Sequence, residues 1–176
     1  VGSEMCIRDR SIMRGTPLML QLLVVYFGPY YLFGIRISKE YSFYATIIGF
    51  SINYAAYFAE IYRAGIEGIP VGQYEAAKVL GYSKAQTFCK IIFPQMVKRV
   101  VPPVTNEVIT LVKDTSLARI IALQEIIWAG QSFLKGSQGI SGAIWPMFFA
   151  AVYYLVFNGI LTVLLGRLEE KLDYFR

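Results

Sequence analysis

The sequence predicts an all-α membrane protein: a helical bundle of about four spans, with a cytoplasmic helical loop between the second and the third. Three observations predict it. Of 176 residues, 56% are hydrophobic and 16% charged, and the mean hydropathy is +0.49, a balance that soluble domains of this size rarely show. Four segments are apolar over lengths that suit a bilayer crossing. Between the second and third lies a polar island rich in lysine and in good helix formers.

Taken in order, the spans are expected at 17–35, at 44 to about 63, at 100–112 with a continuation after Ser116, and at 144–166. The second carries Asn53 and Glu60. Polar groups at membrane depth face other helices or line a route for a polar solute, and both readings stand for Asn53. Glu60 and Arg63 lie three apart on one helix face and are expected to pair near the water interface.

The island follows. Pro70 suits a helix start, residues 73–80 are good helix formers, and Gly81 suits the left-handed residue that closes a helix. Ser83 and Gln86 have capping-box spacing, so a second helix is expected there, with Ala85, Phe88, Cys89 and Ile92 on one face. Two short helices around a tight turn also describe a DNA-binding helix-turn-helix, but such a domain is soluble, and this pair sits between apolar segments.

In the third span, Pro102 and Pro103 are expected to start the helix. Asn106 and Glu107 follow; Glu107 is costly in lipid, so it should face protein or water, and both become candidates to contact a cationic or zwitterionic solute if this helix lines a path. Lys113, Asp114, Thr115 and Ser116 then interrupt the apolar run. Interruptions of this kind occur where backbone lines a cavity, and Ser116 is placed to cap a helix over 119–127 as part of a gate or substrate path. The alternative is the external end of a short span, with Lys113 snorkelling and paired to Asp114.

Lys78, Lys84, Lys90, Lys98 and Arg99 place the island in the cytoplasm. Arg10 and Arg14, and Arg167, Lys171 and Arg176, then fall on the same side, with 36–40 and 130–142 outside. The net charge of +5 is explained by this topology and requires no nucleic acid. Cys6 and Cys89 show no paired spacing, so no disulfide framework is indicated. With no histidine, serine–histidine catalysis and histidine-ligated metal sites are excluded for this chain. It also lacks a GxxxxGK[ST] loop, so any ATP is expected to be bound by another subunit.

The stretch EAAKVLGYSKAQTFCKIIFP resembles the EAA pattern of ABC importer permeases, with Glu75, Ala76, Ala77, Gly81, nine intervening residues, Ile91 and Pro94. RGTPLMLQLLVVYFG, AAYFAEIYRAGI, GQYEAAK and LVKDTSL resemble the polar amino-acid uptake branch of that family, and the resemblance runs from about residue 11 to the end. It implies a permease domain over 11–176, with the EAA coupling loop at about 67–99, in a multi-pass protein of the bacterial cytoplasmic (inner) membrane. It also implies a second permease subunit, identical or different, two ABC ATPase subunits and an extracytoplasmic solute-binding protein. The expected function is translocation of polar amino acids, with no catalytic site, metal or cofactor in this chain. Glu75 and Gly81 lead the expected ATPase contact, and the small Ala76 and Ala77 suit either helix propensity or close docking. A secondary transporter or channel for a small polar solute is the alternative. The family carries a further helix before the RGTP segment; residues 1–10 resemble nothing in it and read as a foreign junction, a truncated start or an unstructured tail.

Overall fold

In the computed structural model, residues 11–132 and 141–172 are described, and among them every regular element is helical. Residues 1–10, including Cys6 and Arg10, lie outside the described residues, as do Arg176 and most of the second external connection. Helix α1 spans Leu18–Phe33, α2 Tyr41–Glu67, α3 Val71–Val79 and α4 Lys84–Thr87. A π-helical turn, Phe88–Ile92, then runs directly into α5, Phe93–Asp114. A 3₁₀ segment, Thr115–Ile121, leads to α6, Ile126–Ser132, and α7 is Ser141–Leu172.

The chain folds by stacking neighbours: α1 on α2, α2 on α5, α5 on α7 and α6 on α7, with the 3₁₀ segment against α1. The core lies where α1, α2 and the 3₁₀ segment meet, at Leu22, Ala45, Phe50, Tyr54 and Ile121. Buried Ala45, Gly49 and Asn53 recur every four residues along α2, so they share one face. A Cβ on Gly49 would stand 2.7 Å from Leu22 Cδ2, so the glycine sets how closely the two helices approach.

Residues 11–15 are helical, and the helix is broken at Thr16–Pro17 before α1 begins. Pro29, inside α1, cannot donate to the carbonyl four residues back. The freed Val25 carbonyl accepts instead from the Tyr41 hydroxyl at 3.1 Å. Gly34 closes α1 in the left-handed region with φ 66°.

Two expectations change here. Pro102 and Pro103 do not start the third span; they lie well inside α5, whose continuous helical run begins at Lys84. Ser116 does not cap a helix over 119–127. Its hydroxyl donates to the Lys113 carbonyl at 2.9 Å, the 3₁₀ segment ends at Ala122 with φ 61°, and Glu125 caps α6 through the Ile127 and Trp128 amides at 2.7 and 2.6 Å. Among the described residues, one helix qualifies as a membrane span by length and hydropathy alone, at Ile144–Leu172. The break at Thr16–Pro17 leaves α1 too short at 16 residues, while α2 and α5 are long enough but too polar.

Candidate functional site

The polar loop between α2 and α5 is built from its caps. Pro70 holds the extended backbone before α3, with φ −57° and ψ 138°. At the other end Gly81, at φ 77°, takes the left-handed position. The Tyr82 amide donates to the Ala77 carbonyl and the Gly81 amide to Lys78, both at 3.1 Å, the paired bonds of a Schellman closure. Ser83 then accepts from the Gln86 amide, while Gln86 accepts from the Ser83 amide at 3.0 Å, completing the capping box expected from spacing.

The π turn follows from Pro94. Its ring crowds the Lys90 carbonyl and it lacks the donor for that carbonyl, and a widened turn just before it relieves both. The Phe93 amide reaches back five residues to Phe88. One extra residue rotates the buried face, so that Thr87 and Ile92 are buried while Ala85, Phe88 and Cys89 are exposed. The expected face assumed 3.6 residues per turn throughout.

Of the residues quoted for the EAA pattern, Glu75, Ala76, Gly81 and Pro94 are exposed and Ile91 is half-buried. Ala77 is fully buried, and α3 packs on α4 and the π turn. The small size of Ala77 therefore serves packing within the loop and leaves it no surface for a partner. Sequence reasoning passed over Val79 and Leu80, which are 87% and 72% exposed at the end of α3. Two adjacent large apolar side chains just before the Gly81 turn were the available signal.

A second polar assembly lies between the helices. At the Thr16–Pro17 break, the Gln21 amide donates to the Met13 carbonyl at 2.7 Å, to Thr16 Oγ1 at 2.8 Å and to the Thr16 carbonyl at 3.2 Å. Its Oε1 accepts from Asn53 Nδ2 at 3.0 Å. Asn53, 5% exposed, therefore ties α2 to the repaired break. Arg14, from the helix before the break, lies over the Tyr57 ring at 5.3 Å and near Glu107 of α5. Arg14 is thus exposed and lies alongside α2, over Tyr57.

At the end of α5, the Tyr54 hydroxyl donates to Asp114 Oδ2 at 2.8 Å. Lys113 is exposed and makes no ion pair with Asp114. Thr115 Oγ1 donates to the Val112 carbonyl at 2.6 Å, so Thr115 and Ser116 spend their hydroxyls on the last turn of α5. Asn106 is exposed and Glu107 half-buried. The structure thus brings Glu107 and Asp114 together with Arg14, Tyr54 and Tyr57, and holds Asn53 in the adjacent network. Arg63 pairs as expected with Glu60, and also with Glu67 at 2.7 Å.

Residues 11–174 match the family described as binding-protein-dependent transport system inner membrane component. The chain belongs to this family. As one of these transport components it is a membrane protein, and a soluble DNA-binding reading of the loop is set aside. The permease is 36% identical over 162 residues to the arginine transport system permease protein ArtQ of Bacillus subtilis (strain 168), covering 92% of this chain and 71% of that one. It is 35% identical over 166 residues to the putative glutamine transport system permease protein GlnP of Rickettsia bellii (strain RML369-C), covering 92% and 72%. It is 33% identical over 165 residues to the L-cystine transport system permease protein TcyB of Bacillus subtilis (strain 168), covering 94% and 68%. The crystal structure of an amino acid ABC transporter with histidines superposes with a TM-score of 0.80 at 31% identity, covering 92% of the permease and 72% of that chain.

Proposed function

We propose that the permease is the multi-pass, membrane-spanning subunit of an ATP-driven importer of polar amino acids in a bacterial cytoplasmic membrane. It forms one domain over 11–176, binds no ATP and supplies the path. It pairs with a second permease subunit, takes solute from an extracytoplasmic binding protein, and couples to separate ATPase subunits through α3 and the turn that follows. The observation that supports this most strongly is α3 itself: a capped helix in a polar loop that presents Glu75, Ala76, Val79 and Leu80 to a partner while Ala77 anchors it from behind. Apolar side chains this exposed mark interaction sites, and Glu75 can meet cationic or amide groups. Gly81, Ile91 and Pro94 shape that surface.

The substrate path runs past the two helix breaks. Discontinuous helices at membrane depth expose backbone groups and helix ends to solute. Glu107 and Asp114 of α5, with the exposed Arg14 nearby, offer both charge signs, which suits a zwitterion. Asn53 and Asn106 line the approach, and Lys113, Thr115 and Ser116 form the turn that gates it. The similarity to amino-acid permease subunits along nearly the whole chain favours this reading over a secondary transporter or channel.

The test is co-purification of the permease with its ATPase, in parallel with Gly81→Asp. Aspartate tolerates the left-handed region better than most residues, so the variant adds charge and bulk to the docking surface without breaking the turn. Parent retention and variant loss are expected. Retention by both would remove the docking surface from Gly81, and loss by both would favour a transporter without an ATPase.

A further inference from the structure

The passage from α2 into α3 is three residues long, Gly68, Ile69 and Pro70. It is tied to the far side of the loop by a contact outside both assemblies described above. Arg99 of α5 donates through Nη1 to the carbonyl of Gly68, 31 residues away in sequence. Gln95, one turn earlier, donates to Gln73 Oε1 of α3 at 3.4 Å and to the Ile91 carbonyl at 3.0 Å.

Two glycines make the approach possible, and neither is required by its backbone angles. Gly68 has φ −71° and ψ −6°, which any residue adopts. A Cβ there, however, would stand 2.8 Å from Arg99 Nη1 and 2.9 Å from the Ala64 carbonyl oxygen. One turn earlier, a Cβ on buried Gly65 would run into the γ-methyl of Val100, itself 5% exposed. The end of α2 and the start of α5 are therefore pressed together at backbone distance, and the guanidinium closes the seam. It does so at a helix C-terminus, where the last carbonyls lack partners and a cation is favoured.

We propose that Arg99 is a positioning residue that makes the entrance and the exit of the coupling loop move as one body. The inference rests on the coupling-loop reading given above. Without the tie, a displacement of α3 is taken up by rotation about Gly68, Ile69 and Pro70. With it, the displacement is passed to α5 and so to the Tyr54–Asp114 contact at the other end of that helix. Arg99 touches neither solute nor nucleotide; it sets how much of the motion of α3 reaches α5.

The experiment uses the permease bound to its ATPase, with Cys6 and Cys89 replaced by serine and a fluorophore on Thr110→Cys, an exposed position near the far end of α5. ATP hydrolysis, the amount of ATPase retained and the ATP-driven fluorescence change are read together for Arg99→Ala, Arg99→Lys and Gly68→Ala. Expected for Arg99→Ala and Gly68→Ala is full retention and hydrolysis with a fluorescence change reduced several-fold. Their combination should be no worse than either, because both remove the same contact. Lysine restores part of the signal, since it can donate to one carbonyl but lacks the planar fork. A parental signal in Arg99→Ala overturns the proposal, and so does loss of the ATPase in that variant, which would make Arg99 part of the docking surface. A parent complex that retains no ATPase, or gives no ATP-dependent signal, defeats the coupling-loop reading itself.

Discussion

At the scale of single residues, the position that ties the core of α2 to the end of α5 is Tyr54. It is 4% exposed, stacks on Phe50 at 6.1 Å between ring centroids and spends its hydroxyl on Asp114. Tyr54→Phe keeps the packing and leaves the carboxylate without that donor. The expected cost is about 1–2 kcal/mol, the lower part of the range for orphaning a charged group because Asp114 is only half-buried. Asp114→Asn keeps an acceptor for the hydroxyl and should cost less. Thermal unfolding in detergent checks both, and a Tyr54→Phe variant as stable as the parent would show that water replaces the bond. Asp114 was legible in the sequence as a carboxylate interrupting an apolar run. Tyr54 was not, because a tyrosine in an apolar helix carries no mark of where its hydroxyl points. Gln21 and Arg14 escaped for a related reason: the Thr16–Pro17 break that gives them their roles looks, in one dimension, like the ordinary start of a span.

Among elements, the sequence was most informative where local chemistry decides the structure. Gly81, Ser83 and Gln86 act within a few residues of themselves, and the turn they predict is the turn observed. Where tertiary contact or an extra residue intervenes, the pattern misleads. The π turn shifts the buried face to Thr87 and Ile92, and Pro102 with Pro103 sit inside α5 because the helix was already under way. The α1–α2 pair makes a further prediction at this scale. Gly49 faces Leu22, which is fully buried and has no room to withdraw. Gly49→Val should cost about 1–3 kcal/mol by overpacking, whereas Gly28→Val, where a Cβ meets nothing within 4 Å, should cost much less. Comparing the two by thermal unfolding separates a packing effect from the general cost of a branched residue in a helix. Equal losses would place the importance of Gly49 in its backbone.

For the whole molecule, the lysines of the loop carry the expectation that it faces the cytoplasm, and the chain offers its own probe of that side. It has two cysteines, Cys6 and Cys89, and Cys89 is free and exposed on the π turn. With Cys6 replaced by serine, a membrane-impermeant maleimide should leave intact right-side-out cells unlabelled and should label Cys89 in inside-out vesicles. Labelling from outside would invert the topology and, with it, remove α3 from reach of any cytoplasmic ATPase. The same cysteine also reports docking, because Cys89 lies between the Gly81 turn and the start of α5. If the ATPase seats on the exposed end of α3, its presence should slow the labelling of Cys89 in inside-out vesicles, and the protection should be absent in the Gly81→Asp variant. Labelling at one rate with and without the ATPase would move the docking surface away from this side of the loop.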